Sequence, residues 1–205
     1  MNLSSGLVSG KDHKRWELML ASTSPYRREL ISRLGLAFQA VKPLVDEEAL
    51  KNPKMGHQEL AEYLALKKAE SLVAPDRIVI GGDQLVSFDR KILGKPGTPE
   101  KALEQLKAMR GHSHELITSI AIVTTEESVV FTNRACLKMK TLTDQQLAKM
   151  IELDQPLDCA GSYKLEKHGI ALFDSIECDD FTAIQGVPLM RLARELRTRW
   201  GIEVL

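Results

Sequence analysis

The sequence predicts an α/β protein built on a mixed β-sheet, and three observations lead to that class. Apolar runs typical of buried strands are followed by turn residues and then by helical patterns, which is the order of parallel strand–helix units. Two long β-type runs, residues 115–125 and 129–140, are joined by a short polar link and predict an antiparallel pair. No internal repeat, low-complexity tract or long linker interrupts these patterns.

The first strand–helix unit occupies residues 18–35. Residues 18–20 form an apolar run of the buried-strand type, and a hydroxyl-rich turn ends it. Ser24 suits the N-cap of a helix, Pro25 suits its first position, and Gly35 suits the residue just past its end. We therefore expect a strand, a turn and a helix here.

Three features of this turn point to a local anion site. Ser22 and Ser24 place hydroxyl groups at the helix start, the amides of a first helical turn lack partners within the helix, and Arg27 and Arg28 lie in that turn. Basic side chains there oppose the helix dipole unless a bound anion offsets them. The alternative on this stretch alone is an ordinary strand-to-helix turn with a solvated arginine pair.

The alternation of strands and helices then continues. A strand over 37–41 stops before Pro43, and the acidic group 46–48 is typical of a solvated loop. Apolar residues at helical spacing predict an amphipathic helix over 57–73.

The next strand, residues 78–80, is apolar throughout and runs into Gly82 and Asp83. An acidic residue at the end of a buried strand lies where the active sites of α/β sheets collect. Asp83 is therefore a candidate general base for water or a ligand for a hard cation. The alternative is an aspartate that only caps its own turn.

Turn and capping signals predict the remaining elements. In order, they are a hairpin over 85–93, a helix that begins at 98–99 and ends at Gly111, the strand pair, a helix from the Thr143/Gln146 capping box to 153, an apolar strand near 170–173 and a last helix over 188–200 that Gly201 stops.

The composition excludes several classes of function. The 205 residues include 28 basic and 28 acidic ones, so no overall field attracts nucleic acid or an anionic membrane, and any anion site must be local. No zinc motif, Walker loop, dinucleotide fingerprint or nucleophile elbow is present. With these motifs excluded, the remaining candidates for a functional site are acidic residues and lysines, which are suited to phosphate chemistry. Lys68 and Lys95 are candidates, although surface lysines are the simpler interpretation of both.

Cysteine usage and the start of the chain bear on compartment and organisation. Three cysteines, an odd number without metal-ligand spacing, fit a reducing cytoplasm. No apolar run approaches the roughly 20 residues that span a bilayer, and no signal-peptide pattern is present. We expect residues 1–15 to be a flexible N-terminal extension and residues 16–205 to form a single domain.

Several short motifs follow one another along the chain, and their order resembles that of the Maf family of nucleotide pyrophosphatases. Each motif alone is weak, but the ordered set is specific, and it covers the chain from about Leu18 to its C-terminus. The motifs are Ala21-Ser22-Thr23-Ser24-Pro25-Tyr26-Arg27-Arg28, Val45-Asp46-Glu47, Lys68-Ala69, Gly82-Asp83-Gln84, Gly94-Lys95-Pro96 and Cys159-Ala160-Gly161-Ser162-Tyr163.

This resemblance implies a metal-dependent hydrolase that cleaves nucleoside triphosphates between the α and β phosphates. It implies an elongated mixed sheet flanked by helices, with a cleft between two lobes, similar to the fold of the inosine triphosphate pyrophosphatases. Such proteins are commonly dimeric, so a homodimer is among the expectations. Mg²⁺ or Mn²⁺ is the expected cofactor, and the expected partner is a small-molecule nucleotide rather than nucleic acid or a membrane.

The resemblance also assigns roles to individual residues. Asp83 matches the catalytic acid that activates water, and Glu47 together with Asp83 matches the pair that holds the metal. Cations around the triphosphate would neutralise charge as pyrophosphate leaves. The positions around the triphosphate are matched by Ser22, Ser24, Arg27, Arg28, Lys68 and Lys95.

Three positions divide the family by substrate. Members that act on dTTP and UTP resemble Ser-Pro-Arg-Arg in the first motif, whereas the YceF-like subgroup carries an aromatic before the arginine pair and prefers 7-methyl-GTP. Tyr26, Gln84 and Glu166 match that subgroup. An aromatic face attracts the positively charged methylated guanine by roughly 0.5 to 2 kcal/mol, and a carboxylate such as Glu166 can accept the guanine N1–H and exocyclic amine. Without the resemblance, a half-buried helix-start aromatic and a solvated acid would be the simpler interpretations.

One stretch departs from the family pattern, because residues 182–188 lack the Asn that usually precedes a Val-Gly-Leu-Pro sequence. The leading hypothesis is a 7-methyl-GTP pyrophosphatase that removes modified nucleotides. The alternatives are a Maf pyrophosphatase for dTTP, UTP or another altered nucleotide, and a nucleotide-binding regulator of cell division without turnover.

Overall fold

The computed structural model describes residues 7–11 and 14–204 of the chain. Its described strands form one eight-stranded mixed sheet in the order β1-β2-β4-β6-β7-β8, with β3 paired to β2 and β5 paired to β4. This architecture confirms the predicted mixed α/β class. The strands are β1 (Leu7–Ser9), β2 (Arg15–Ala21), β3 (Gln39–Val41), β4 (Arg77–Phe88), β5 (Lys91–Leu93), β6 (Ser113–Val123), β7 (Ser128–Met139) and β8 (Phe173–Glu177).

Seven α-helices connect these strands within the described part of the chain. None of the described helices is long and apolar enough to cross a membrane. They are α1 (Pro25–Ser32), α2 (Glu47–Leu50), α3 (His57–Glu70), α4 (Pro99–Met109), α5 (Asp144–Asp154), α6 (Phe181–Ile184) and α7 (Leu189–Trp200), and two 3₁₀ helices cover Ala160–Ser162 and His168–Leu172.

The chain divides into two compact units. The first consists of the residues up to Gln84, Thr118–Asn133 and the residues from Asp180 onward, and the second consists of Leu85–Ile117 and Arg134–Asp179. The single domain expected over residues 16–205 and the expected cleft remain predictions.

Both faces of the sheet are buried in the first unit, as expected for central strands covered by helices. One face packs against α1 and α7, and the other packs against α3. The first face carries Leu18, Leu20, Ile78, Ile80, Ile120 and Ile122, and the second carries Met19, Ala21, Val79 and Ala121.

Strand β1 falls inside the segment predicted to be a flexible extension. Val8 pairs with Trp16 in an antiparallel ladder between β1 and β2, and both side chains are buried in the core. The serine- and glycine-rich composition around Val8 gives no sign of this pairing. Residues 1–6 and 12–13 of that segment lie outside the described residues.

Several local predictions are confirmed. Ser24 is the N-cap of α1 with Pro25 in its first turn, and Thr143 and Gln146 form the capping box of α5. Gly201 ends α7 in the left-handed conformation at φ 68°. The link between β6 and β7 is too short for a parallel crossover, so this neighbouring pair is antiparallel, as predicted.

Three predictions need correction. Residues 168–172 form a 3₁₀ helix instead of a strand, because the Asp154 carboxylate accepts the backbone amides of His168 and Gly169 and holds them in a turn. The acidic group 46–48 is not a loop, since Asp46 accepts the amides of residues 48 and 49 and starts α2. Helix α1 already ends at Ser32, and Gly35, at φ 69°, lies in the turn that follows.

The second unit contains a buried aromatic cluster around His114. Its Nε2 lies 2.9 Å from the Tyr163 hydroxyl oxygen, and its ring packs beside the rings of Tyr163 and Phe173. Burial lowers the pKa of His114 to about 4, and no described residue partners its Nδ1 atom. The imidazole is therefore neutral in the folded protein at neutral pH.

This pKa predicts a specific dependence of stability on pH. The folded pKa lies below the ordinary value of about 6.5, so the unfolded chain takes up the proton first as pH falls. The stabilisation is complete above pH 6.5 and is lost toward pH 4. Relative to His114→Gln, we expect the wild-type free energy of unfolding to drop by about 2 kcal/mol between pH 7.5 and pH 5. Urea titrations at both pH values measure it.

The exposed neighbour His112 provides the control, since His112→Gln should leave the pH dependence of the wild type unchanged. A His114→Gln stability curve that runs parallel to the wild-type curve from pH 7.5 to pH 5 would contradict the assignment of a buried neutral imidazole.

Candidate active site

The carboxyl ends of three parallel strands place the candidate site. Ala21 of β2 pairs with Val41 of β3 on one side and with Gly81 of β4 on the other. The residues that follow in all three segments therefore lie at the same edge of this parallel pairing, where ligand sites of parallel sheets form. These segments carry the Ser22–Arg28 turn, helix α2 with Glu47, and Asp83.

Asp83 does not end its strand as predicted, because β4 continues to Phe88. It instead follows the point where the pairing of β4 with β2 stops. The side chain is nevertheless buried, with 6% of its surface exposed.

Glycine at position 81 allows helix α3 to pack directly on the strand. A Cβ atom there would lie 2.2 Å from the Ala65 carbonyl oxygen and 2.7 Å from the Ala69 amide nitrogen. This close approach of backbone to backbone brings Lys68, on the same face of α3, next to Asp83.

Lys68 binds both candidate metal-holding carboxylates. Its Nζ atom donates to Asp83 Oδ1 at 2.7 Å and lies 2.9 Å from Glu47 Oε2. Lys68 and Asp83 are both buried, whereas the Glu47 side chain is 46% exposed. One ammonium group is therefore shared by two carboxylates, and it gives the buried Asp83 the charged partner that a buried charge requires. The structure thus brings together three of the residues that the resemblance selected.

The second oxygen of Asp83 is the exceptional atom of this cluster. Oδ2 is buried and accepts no hydrogen bond from any described residue. Such an atom costs about 1–3 kcal/mol, and its retention calls for an explanation such as a catalytic or ligand-binding role.

The donor set fits a magnesium-type ion better than zinc. Carboxylate oxygens are the ligands that Mg²⁺ prefers, and Mg²⁺ is commonly held by one or two carboxylates together with substrate phosphates. Asp83 and Glu47 supply such a pair. The described residues contain no group of three or more His, Cys, Asp or Glu side chains arranged to hold a metal without help.

Arg27 is placed beside this cluster by two glycines. Its Nε donates to the Gly186 carbonyl oxygen at 3.3 Å, and a Cβ at Gly82 would lie 3.3 Å from the same nitrogen. Burial lowers the pKa of Arg27, while the charges of Asp83 and Glu47 oppose part of that shift. The guanidinium remains charged at neutral pH, and it adds a second cation to the site.

The hydroxyl-rich turn is organised by its own serines. Ser22 Oγ accepts the Ser24 amide at 3.1 Å, and Ser24 Oγ accepts the Arg27 amide at 3.4 Å. The amide of Arg27 is thus capped rather than exposed, which corrects part of the expected anion cradle. Neither serine hydroxyl donates its own proton to a described residue, so both protons are available to an acceptor. Arg28 is exposed, and its side chain has no partner among the described residues.

Gln84 binds the loop that departs from the family pattern. The two protons of its side-chain Nε2 are shared among three acceptors, the carbonyl oxygens of Ala183 and Ile184 at 2.9 and 3.1 Å and Thr118 Oγ1 at 2.8 Å. Its donor group therefore holds this loop in place. Tyr26, the neighbouring specificity candidate, is half-buried at the start of α1.

The sequence interpretation missed the residues that fix this loop from the other side. Asp180 is buried and accepts the amides of Thr182 and Met190 at 3.0 and 2.9 Å, and the Thr182 hydroxyl accepts the Leu189 amide at 2.9 Å. An Asp two residues before a Thr at a helix start is a recognisable capping signal. That signal was available in the sequence.

Lys95 and Glu166 belong to the second unit. Both are exposed, Lys95 in the irregular segment after β5 and Glu166 in the turn before the second 3₁₀ helix. Burial and the nearby charge of Asp158 raise the pKa of Cys159 to about 12. This thiol is therefore protonated at neutral pH and is not an activated nucleophile.

The chain matches known proteins over nearly its whole length. Residues 17–199 match the sequence model of a family described as Maf-like protein. The chain is 54% identical to a protein of Bdellovibrio bacteriovorus named 7-methyl-GTP pyrophosphatase, over 88% of this chain and 95% of that one. Proteins with the same name are 43% identical in Xanthomonas axonopodis, over 88% and 95% of the two chains, and 38% identical in Pseudomonas aeruginosa, over 92% and 98%.

A solved structure, that of a HAM1 protein from Coxiella burnetii, aligns with 62% of this chain and 74% of that one. The TM-score is 0.42 and the sequence identity is 14%. A similarity this weak supports neither a fold relationship nor a function, so the expected likeness to the inosine triphosphate pyrophosphatases remains a prediction.

The buried cluster predicts a large effect of removing its shared cation. In Lys68→Met, the Asp83 carboxylate stays buried without the ammonium that compensates it, so we expect the free energy of unfolding to fall by about 3 kcal/mol. Chemical denaturation at pH 7.5 measures the change. Adding Asp83→Asn to this variant should recover part of the loss, because a neutral amide needs no counter-charge.

Lys67→Met is the matched control, since Lys67 pairs with Glu70 on the exposed surface of the same helix. Its cost should stay within about 0.5 kcal/mol. Equal losses in the Lys67 and Lys68 variants would contradict the buried ion-pair cluster.

Proposed function

The chain belongs to the Maf family, and from that premise we propose that it hydrolyses 7-methyl-GTP to 7-methyl-GMP and pyrophosphate. It is thus a nucleoside triphosphate pyrophosphatase that removes a modified nucleotide from the pool. The names of its relatives support the substrate, and the buried acidic cluster supports the chemistry.

The observation that carries the proposal is the state of the Asp83 carboxylate. One oxygen is fixed by Lys68 at 2.7 Å, and the other is buried without a partner among the described residues. A carboxylate held in one orientation with an unused oxygen is suited to take the proton of an attacking water. A protein that only bound nucleotide would gain nothing from leaving that oxygen unpaired.

The residues around Asp83 divide the remaining tasks. Asp83 Oδ2 accepts the water proton as the water oxygen attacks phosphorus, and Lys68 keeps the carboxylate in place. Arg27 and Arg28 supply positive charge to the phosphates, and the hydroxyl protons of Ser22 and Ser24 donate to phosphate oxygens. Charge on the departing pyrophosphate grows during the reaction, so these donors bind the transition state more tightly than the substrate. We assign Lys95 to the same task.

Glu47 and Asp83 would hold the divalent metal, Mg²⁺ or Mn²⁺, together with the phosphates. When bound, such an ion neutralises phosphate charge and lowers the pKa of a coordinated water. The protein contributes two carboxylates, and the single positive charge of Lys68 offsets only part of their combined negative charge.

Recognition of the base rests on Tyr26 and Glu166, with Gln84 as the third position. The Tyr26 ring would attract the positively charged methylated guanine, and the Glu166 carboxylate would accept the guanine N1–H and amine. The contacts of Gln84 support a different role from direct base binding, because its amide donates to Thr118 and to the 183–184 backbone. We therefore assign Gln84 the task of shaping the site next to Asp83.

Two further expectations belong to this proposal. Cys136, Cys159 and Cys178 form no disulfide within the described part of the chain, which fits action in the reducing cytoplasm. The family resemblance favours a homodimer.

The proposal predicts the substrate preference and its dependence on one carboxylate. Pyrophosphate release with Mg²⁺ or Mn²⁺ should be fastest for 7-methyl-GTP among 7-methyl-GTP, GTP, dTTP, UTP and ITP. Asp83→Asn should lower kcat by about 10²–10⁴-fold, because the amide cannot accept the water proton. A coupled assay for pyrophosphate measures both effects.

Asp76→Asn is the control, because Asp76 is exposed and pairs only loosely with Lys14 at 3.8 Å. It should leave kcat unchanged. A preference for dTTP or UTP would contradict the roles of Tyr26 and Glu166 while keeping the chemistry. If the protein turns over none of these nucleotides, the proposed enzymatic activity is contradicted and a nucleotide-binding regulator is favoured.

A further inference from the structure

A buried carboxylate lies beneath the turn that carries Glu166. Asp154, the last residue of α5, is 1% exposed. Its Oδ2 accepts the Gly169 amide at 2.8 Å, and its Oδ1 accepts the His168 amide at 3.3 Å. The His168 Nδ1 atom lies 2.6 Å from the same Oδ1, so the imidazole carries its proton on Nδ1 and donates a third hydrogen bond.

The other end of the turn is fixed to the next residue of the helix. Gln155, the C-cap of α5, accepts a hydrogen bond from Lys164 Nζ at 3.2 Å through its carbonyl oxygen. Lys164 Nζ also lies 3.2 Å from the Asp158 carboxylate, and the Lys164 side chain is buried. Two consecutive residues at the end of one helix therefore anchor both ends of residues 164–169.

The turn also closes on its own backbone. The Lys167 amide donates to the Lys164 carbonyl oxygen at 3.1 Å. A Cβ at Gly169 would lie 2.5 Å from that same oxygen, so only glycine fits where the turn closes. Glu166 lies inside this closed segment with its side chain exposed. An exposed turn residue is held in one conformation only if its backbone is, and here the backbone is held by Asp154.

We propose that Asp154 is a positioning residue for substrate selection: it holds the 164–169 turn in the form that presents the Glu166 carboxylate to the guanine base. This inference rests on the proposed function of Glu166. Asp154 touches neither substrate nor metal and acts only through the turn. Loss of its carboxylate frees two amides and the imidazole, so the turn samples other conformations and the Glu166 contact becomes intermittent.

The kinetic test compares Asp154→Ala with wild type on 7-methyl-GTP and on UTP, a substrate without the guanine N1–H and amine. We expect KM for 7-methyl-GTP to rise at least tenfold with kcat within about threefold of wild type. The ratio of kcat/KM for 7-methyl-GTP over UTP should fall at least tenfold. Asp154→Asn keeps one acceptor oxygen, so its substrate ratio should lie between that of wild type and that of Asp154→Ala.

A double variant separates positioning from general damage. If Asp154 acts through Glu166, then adding Asp154→Ala to Glu166→Ala should not lower the substrate ratio further. Asp144→Ala is the matched control, because Asp144 starts the same helix and its partners Lys107 and Arg110 lie on the surface. Its substrate ratio should equal that of wild type. Equal losses on both substrates in Asp154→Ala would mean a purely structural role and overturn the proposal.

Hydrogen exchange supplies a readout that needs no nucleotide. The amides of His168 and Gly169 should exchange at least tenfold faster in Asp154→Ala than in wild type, while the α3 amides are unchanged. Unchanged exchange at these two amides would overturn the anchor even in a fully active enzyme. Absence of turnover in the wild type would instead overturn the proposed function, and faster exchange would still support the anchor.

Discussion

The contact between Lys68 and two carboxylates is the constraint on which the candidate site depends. A lysine and an aspartate that are both buried lose most of their hydration, and their attraction offsets that loss only when the geometry is close. The 2.7 Å and 2.9 Å contacts of Nζ meet this condition. A pair of apolar residues would serve stability as well or better, so the cluster is better explained by chemistry than by folding.

The surrounding fold provides that geometry through small residues. Gly81 allows α3 to touch β4 through its backbone, which brings Lys68 to Asp83, and Gly82 leaves space for the Arg27 side chain. The parallel pairing of three strands ends at one level and directs the following segments to the same edge. Gln84 and Arg27 then attach the loop at 183–186 through its carbonyl oxygens. Elements distant in sequence thus meet at a single carboxylate.

Local signals predicted much of the fold, because they depend on neighbouring residues only. The caps at Ser24, Thr143 and Gly201 are of this kind, and each lies where the sequence indicates. The apolar residues near 170 suggested a strand, but Asp154, far along the chain, decides the backbone there. Strand β1 was missed because the serine- and glycine-rich composition around it is typical of a flexible segment, although Val8 pairs with Trp16 and is buried.

The candidate site was identified mainly from the ordered family motifs, because the physical properties of the individual residues did not single it out. Asp83 was plausible from its place after a buried strand, but Lys68 and Glu47 were indistinguishable from solvated surface charges. Their contact requires the packing of α3 on Gly81, which no local pattern encodes. The capped Arg27 amide and the occupied Gln84 donor depend likewise on tertiary contacts.

The most direct test of the acidic cluster is a measurement of Mn²⁺ binding in the presence of a non-hydrolysable 7-methyl-GTP analogue. Binding is detected as a loss of the paramagnetic resonance signal of the free ion. If Asp83 and Glu47 hold the ion with the phosphates, the wild type should bind it at least tenfold more tightly than Glu47→Gln or Asp83→Asn. Equal binding by all three proteins would contradict the assignment of the metal to this cluster.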